Sequence, residues 1–159
     1  MKYSECDIRY RDVPNEITLT FWITGCPNHC PDCHSKDLWN DFGKGFTVEN
    51  VFREAQDRLK NSIPITCICF MGGDQDHAYL ISVVHEIKKL LPDIKIAWYS
   101  GKDFKINTEE PIYTSFDYIK TGPFIKERGP LNDPNTNQKF YIKDINNVFH
   151  ECKFYENNN

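Results

Sequence analysis

The run at residues 65–70, which reads ITCICF, constrains the fold of this chain more than any other segment. It is almost continuously apolar, and it lies between Pro64 and the turn Met71-Gly72-Gly73-Asp74. Such a run is expected of a strand that is buried on both faces, as in parallel sheets covered by helices. Its two cysteines, Cys67 and Cys69, are interpreted as small hydrophobic residues of that strand.

Strand and helix patterns alternate along the rest of the chain. Residues 47–61 and 79–91 place apolar side chains on one helical face, and Thr47 can cap the first helix. β-Branched and aromatic residues predict further strands at 16–23, 94–99 and 113–120, and an edge strand at 140–143. Because strands that alternate with helices form βαβ units, we expect an α/β fold with a mostly parallel sheet of about four to six strands.

The length of 159 residues suggests a single domain over residues 1–159, with a core at about 16–145 and a frayed tail at 156–159. A complete (βα) barrel runs to roughly 250 residues. The sheet is therefore predicted to form an open, partial (βα) barrel. Such a barrel would leave one side open to a macromolecular substrate.

Charge and hydropathy argue against several kinds of partner. A formal net charge of -4 gives no electrostatic support for a nucleic-acid partner. No apolar run approaches the length of about 20 residues that a membrane span needs, and the first residues lack the apolar segment of a signal peptide. We therefore expect a cytoplasmic protein with reduced thiols. The seven cysteines, an odd number, do not indicate a disulfide framework, and Cys6 and Cys152 are assigned no role.

Three of the cysteines stand in one short loop after the first predicted strand. Cys26, Cys30 and Cys33 have the spacing C-x3-C-x2-C. A zinc site could be completed by His29 or His34, but structural zinc motifs usually bring two separated ligand pairs together. The pair Cys30 and Cys33 has the spacing of a thioredoxin-like dithiol, which would leave Cys26 without a role.

An iron–sulfur cluster accounts for all three thiols. A four-iron cluster usually takes four thiolates, so three cysteines leave one iron open to a substrate or a cofactor. The turn Gly72-Gly73-Asp74 follows the second predicted strand. Glycines permit close approach of a ligand to the backbone, and Asp74 could receive an ammonium group.

Four loops follow the carboxyl ends of predicted strands. They contain the three cysteines, the Gly-Gly-Asp turn, Ser100-Gly101 and Thr121-Gly122. In parallel α/β folds these strand ends lie on one rim, where ligands bind. The four loops are therefore predicted to meet at one site.

At these residues the chain resembles the small activating proteins of anaerobic (class III) ribonucleotide reductase, which are radical S-adenosylmethionine (SAM) enzymes. The cysteine spacing resembles that of the whole radical SAM superfamily. His34 and Gln75 stand where the activating proteins have tyrosine and proline, and Asp32 stands where many radical SAM proteins have an aromatic residue. The resemblance continues in chain order through Cys33-His34-Ser35-Lys36-Asp37-Leu38-Trp39, Gly72-Gly73-Asp74, Ala97-Trp98-Tyr99-Ser100-Gly101, Asp117-Tyr118-Ile119-Lys120-Thr121-Gly122-Pro123-Phe124 and Thr136-Asn137-Gln138.

The resemblance implies a partial barrel of the radical SAM type and a cofactor site. Cys26, Cys30 and Cys33 would bind a [4Fe–4S] cluster, and the open iron would bind SAM. No residue is assigned as a general acid or base. The residues implied to contact SAM are Asp32, Cys33, His34, Gly72, Gly73, Asp74, Ser100 and Lys120.

The resemblance also implies a reaction. A flavodoxin or a ferredoxin-like protein would donate one electron, and reductive cleavage of SAM would yield methionine and a 5′-deoxyadenosyl radical. That radical would take a hydrogen atom from a glycine of a glycyl radical enzyme, the anaerobic ribonucleotide reductase. Two other interpretations stay open: a small radical SAM enzyme acting on a small molecule, and a structural zinc-binding interaction module. Trp39 could cover the cluster, whereas His29 and His34 are interpreted as surface or supporting residues.

Overall fold

An eight-stranded sheet forms the centre of the fold in the computed structural model, which describes residues 1–106 and 110–154. The described helices are α1 (Val48–Lys60), α2 (His77–Leu90) and the short α3 (Pro111–Thr114), with 3₁₀ segments at Lys36–Trp39 and Lys126–Arg128. The strands are β1 (Lys2–Arg9), β2 (Thr18–Ile23), β3 (Lys44–Gly45), β4 (Cys67–Met71), β5 (Lys95–Tyr99), β6 (Tyr118–Thr121), β7 (Lys139–Lys143) and β8 (Phe149–Cys152). Their order across the sheet is β3-β1-β2-β4-β5-β6-β7-β8.

The predicted fold class, a mostly parallel sheet in an open partial (βα) barrel, is wrong. Among the described residues, four of the seven strand pairings are antiparallel and three are parallel. The parallel pairings join β2, β4, β5 and β6, whereas β1, β3, β7 and β8 extend this group with antiparallel pairings. Strands β1 and β8 are mostly polar and partly exposed. They lack the apolar pattern by which the central strands were predicted, so the sequence did not indicate them.

The sequence patterns predict both long helices correctly. Thr47 caps α1, because its hydroxyl accepts a hydrogen bond from Asn50 N at 3.2 Å. The predicted strand at 113–120 is wrong in its first half, where α3 and the turn after it bury Phe116. The predicted strand at 140–143 exists as β7, but it is not an edge strand because β8 pairs with its outer side.

Helices α1 and α2 cover one face of the sheet. Their apolar side chains pack on Ile68 and Phe70 of β4 in the main core. Because successive side chains of a strand point to opposite faces, Cys67 and Cys69 lie on the other face, where both are fully buried. Burial raises the pKa of both thiols well above the ordinary value. These two cysteines are therefore confirmed as interior strand residues.

The predicted frayed tail at 156–159 lies outside the described residues. Within residues 1–106 and 110–154, no helix combines the length and the apolar character that a membrane span requires.

The four parallel strands place their carboxyl ends side by side. In register, Trp22 pairs with Met71, Met71 with Tyr99, and Tyr99 with Lys120. The loops that follow these strands therefore leave the sheet on the same side. The second of these loops begins with the Gly-Gly-Asp turn, and the first contains the three closely spaced cysteines.

Candidate metal centre

A cavity of about 190 Å³ lies at the carboxyl ends of the parallel strands. Its wall brings the three cysteines of the first loop together with residues that follow the other parallel strands. The four loops therefore meet at one place, as the strand pattern predicted. The lining includes Cys26, Asn28, Cys30, Cys33, Trp39, Gly72, Asp74, Gly101, Lys120 and Phe124.

A larger cavity, of about 500 Å³, is lined by Arg11, Asp12, Leu131 and Phe154 among others. The Tyr99 hydroxyl donates a hydrogen bond to the Asp12 carbonyl at its wall. Its lining contains no cysteine or histidine among the described residues. The smaller cavity is therefore the better candidate for a metal centre, because its wall carries three thiols.

The cysteine loop is held by its own backbone. Cys26 N donates to Leu38 O at 3.0 Å, which ties the start of the loop to the 3₁₀ segment that follows it. Cys33 N donates to Cys30 O at 3.0 Å, which closes a turn between the second and third cysteines. His29 stands between the first two cysteines with a φ of 44°, a left-handed conformation that bends the chain there. All three thiols are half-buried and none forms a disulfide.

The thiols are not gathered around one metal position. No group of three or more His, Cys, Asp or Glu side chains is arranged to hold a metal ion in the part of the chain that the structure describes. In a four-iron cluster, however, each cysteine binds a different iron. The fit of such a cluster therefore depends on the charges and hydrogen-bond donors around the cavity.

A buried cation faces the thiols. Lys120 is only 9 % exposed, and its Nζ donates to Gly122 O at 2.6 Å and to Ser100 O at 3.3 Å. Burial lowers its pKa to about 8, although the negative charges of Asp74, Cys30 and Cys33 act in the opposite direction. A group held by three thiolates is negatively charged, and it would favour the charged form of this ammonium.

Trp39 offers a second feature that fits a sulfur-rich group. Its ring stacks on His29 with centroids 4.7 Å apart, and Lys36 Nζ lies 5.7 Å from the ring centroid. Its Nε1 is buried and has no hydrogen-bond partner within residues 1–106 and 110–154. A buried N–H donor without a partner carries a free-energy penalty. An acceptor such as a cluster sulfur in this cavity would satisfy it.

The Cys26 thiol is harder to ionise than an ordinary cysteine in the metal-free chain. Burial raises its pKa, and the charges of Asp74 and Cys30 raise it further. Because the thiolate is the form that binds metals, iron bound in the cavity would reverse this shift. The cysteines, Lys120 and Trp39 together fit an iron–sulfur cluster.

The Gly-Gly-Asp turn requires both of its glycines. Gly72 and Gly73 have φ values of 105° and 93°, in the region that favours glycine. Gly72 is also held from two sides, since its N–H donates to Tyr99 O at 2.9 Å and its carbonyl accepts from Trp98 Nε1 at 2.8 Å. The turn therefore presents the following carboxylate, Asp74, at a defined position.

Asp74 is 4 % exposed and its carboxylate accepts three hydrogen bonds. Ser100 Oγ donates to Oδ1 at 2.5 Å, and Gly101 N donates to Oδ2 at 2.9 Å. Asn28 Nδ2 donates to Oδ2 at 2.6 Å from the cysteine loop. In this structure Asp74 thus joins three of the loops that meet at the cavity.

Some residues predicted to contact SAM lie away from the cavity wall. Asp32 and His34 are exposed, and the His34 ring packs edge-on against Phe124 with centroids 4.4 Å apart. Gly73 faces Leu80 rather than the cavity. Ser100 is buried and reaches the site only through Asp74.

Sequence reasoning missed two polar residues at the site. Asn28 lies between two of the cysteines, and its position inside that loop was a signal for a role. Lys102 Nζ donates to the main-chain carbonyl of Asp74 at 3.0 Å. No sequence pattern could have paired Lys102 with that carbonyl, because the contact spans 28 residues.

A family model described as a 4Fe-4S single cluster domain matches residues 16–141. The chain belongs to this family. The matched range runs from just before β2 into β7, and it includes the cysteine loop and every other loop of the cavity. No curated protein and no solved structure matches the chain. This 4Fe–4S single cluster domain is thus an iron–sulfur protein, which is compatible with a redox enzyme.

Proposed function

We propose that this 4Fe–4S single cluster domain is a radical SAM activase that generates a glycyl radical on a partner enzyme, the anaerobic ribonucleotide reductase. Cys26, Cys30 and Cys33 hold the cluster in this proposal, and the iron without a cysteine binds SAM. One observation carries it: the three cysteines share a cavity with the Gly-Gly-Asp turn and with the ends of two further parallel strands. Three thiolates leave one of four irons without a protein ligand.

The residues around the cavity have distinct roles in this proposal. Asp74 carries the negative charge for the ammonium of the methionine end, and the Gly72-Gly73 backbone borders that end. The Lys120 ammonium offers a positive charge to a carboxylate, and Ser100 holds Asp74 in place. The backbone at residues 32–34 borders the nucleoside end. When bound, the cluster and SAM supply reductive cleavage of SAM and abstraction of a hydrogen atom from a glycine Cα.

The remaining parts of the proposal concern partners. An electron donor with a potential near that of plant-type ferredoxins, about -400 mV, suits the reduction; flavodoxin is another such donor. A site with three reduced thiols also fits the cytoplasm, where thiols stay reduced. The apolar residues at the cavity, which include Trp39 and Phe124, exclude water from the reacting atoms.

Anaerobic purification followed by metal analysis tests the cluster. We expect a brown protein with about four irons and four sulfides per chain, as a cubane requires. Cys26→Ala, Cys30→Ala and Cys33→Ala should each lose the cluster and the cleavage of SAM. Cys6→Ala is the matched control and should keep both, because Cys6 lies in β1 beside Arg58, away from the cavity. A colourless protein with one zinc ion would contradict the proposal and favour a structural zinc module.

Electron paramagnetic resonance tests the partner. The loaded protein is mixed with SAM, dithionite and the anaerobic reductase, and a glycyl radical doublet is expected only in the complete mixture. Methionine formation without any radical on the reductase would instead favour a small radical SAM enzyme with a small-molecule substrate.

A further inference from the structure

The Asp74 carboxylate is bound by two kinds of donor. Ser100 and Gly101 directly follow β5, and their hydrogen bonds of 2.5 and 2.9 Å come from the framework of the sheet. Asn28 instead belongs to the cysteine loop, 46 residues away in sequence. Its bond of 2.6 Å connects the loop that carries the thiols to the Gly-Gly-Asp turn.

The position of the Asn28 amide is built into the fold. A Cβ on Gly101 would stand 2.6 Å from Asn28 Nδ2, so a side chain at 101 would push the amide out of its present position. A second contact supports the loop nearby, since Gln75 Nε2 donates to Thr24 O at 2.7 Å. The start of the cysteine loop therefore stays attached to the turn even when Asn28 moves.

The bond between Asn28 and Asp74 joins a neutral donor to a carboxylate that is 4 % exposed. A carboxylate offers about four acceptor positions. Oδ2 accepts from both Asn28 and Gly101, Oδ1 accepts from Ser100, and His77 Nε2 lies 3.6 Å from Oδ1. An ammonium group is a stronger donor to this carboxylate than a neutral amide, because it adds the attraction between two opposite charges in a buried site. Of the three donors, Asn28 is the one that can leave without disrupting the sheet.

We propose that Asn28 is a placeholder for the ammonium group of the ligand, and that binding of that group to Asp74 displaces the Asn28 amide. The inference rests on the proposed use of SAM at this site. Displacement frees the segment between Cys26 and Cys30, so binding at Asp74 is coupled to the position of the cysteine loop. Such coupling is reciprocal, and the loop position in turn sets the affinity for the ammonium.

Ligand affinity tests the proposal with cluster-loaded protein in the oxidised state, where SAM binds but is not cleaved. Asn28→Ala removes the competing donor and should bind SAM about tenfold more tightly in equilibrium dialysis, the lower end of what a hydrogen bond to a charged group is worth. Methylthioadenosine lacks the ammonium, and its affinity should not change. Asn40→Ala is the matched control, because the Asn40 amide donates weakly to Asp37 O at 3.5 Å and not to Asp74.

Hydrogen–deuterium exchange supplies a readout that needs no ligand. In Asn28→Ala the amides of residues 28–30 should exchange faster, while Asn40→Ala should leave them unchanged. If Asn28→Ala fails to hold its cluster, Asn28→Ser is used, because its shorter hydroxyl side chain cannot span to Asp74.

The outcomes separate the two proposals. If wild-type protein binds SAM and the Asn28→Ala variant binds it equally or more weakly, the placeholder role of Asn28 is overturned and the proposed function is not. Asn28 would then assist binding. Loaded wild-type protein that binds no SAM would overturn the proposed function and the placeholder with it. Unchanged exchange at the amides of residues 28–30 in the variant would also overturn the placeholder, whatever the affinity for SAM.

Discussion

Substitution of the buried Lys120 by methionine should remove part of the pH dependence of the stability of the cluster-free chain. The pKa of Lys120 falls from 10.5 to about 8 on folding, because burial disfavours the charged form. At roughly 1.4 kcal/mol per pH unit, the charged ammonium costs the folded state about 3 kcal/mol at pH 7. Lys120→Met removes this cost, but it also loses two hydrogen bonds from a charged donor, worth about 1.5–3 kcal/mol each. The effect of ionisation therefore shows in how the difference in stability between the two proteins changes with pH.

The sign of the pH dependence follows from proton binding. Between pH 8 and pH 10.5 the unfolded chain keeps a proton on Lys120 that the folded chain has released. Stability of the wild-type chain therefore rises with pH through this window, because the unfolded state binds more protons. Lys120→Met lacks this rise, so the wild-type chain should gain about 3 kcal/mol of stability relative to the variant between pH 7 and the top of the window.

Urea unfolding of both cluster-free proteins at several pH values from 7 to 10.5, with reductant present, measures this difference. Subtraction of the two profiles removes the titration of the groups that do not interact with the Lys120 charge. Parallel profiles would refute the reasoning, because they would mean that folding does not shift the pKa of Lys120. After cluster loading the difference should shrink, because a negatively charged group beside Lys120 favours its charged form.

Two further substitutions test the framework of the site. Gly72→Ala should destabilise the protein by about 1–2 kcal/mol in urea unfolding, because φ is 105° and the new Cβ would stand 3.1 Å from Ile23 O. Gly45→Ala is its control, because a Cβ there meets only ordinary contacts. Equal effects of the two substitutions would contradict the requirement for glycine at position 72. Glu16→Gln should cost about 2 kcal/mol at pH 7, because Glu16 accepts hydrogen bonds from Lys95 at 2.8 Å and Tyr118 at 2.5 Å. Burial raises the pKa of Glu16, but these hydrogen bonds lower it below 4.5 overall. The greater stability of the wild-type protein over Glu16→Gln should therefore disappear as the pH falls below 4.5. A stability difference that persists in acid would contradict this account.

Local patterns in the sequence were sufficient for the central strands, both long helices and the cysteine loop. The run at 65–70 became β4 nearly as predicted, because a strand buried on both faces needs apolar residues at every position. The meeting of four loops at one cavity also followed from the sequence, since parallel neighbours must end on the same side. The strand prediction at 113–120 failed in its first half because an apolar run can be buried equally well in a helix or in a strand.

The tertiary structure decided the direction of the outer strands and the partners of the site residues. Four outer strands, β1, β3, β7 and β8, extend the parallel strands β2, β4, β5 and β6 by antiparallel pairing. Many of their residues are partly exposed, so their sequences show only a weak apolar pattern. The bond from Asn28 to Asp74 spans 46 residues, and the burial that lowers the pKa of Lys120 comes from the elements packed around β6. A residue's neighbours in sequence determine which helix or strand it joins. Contacts between distant segments determine the direction of that strand, the residue's hydrogen-bond partners and its charge, because these depend on which surfaces meet when the chain folds.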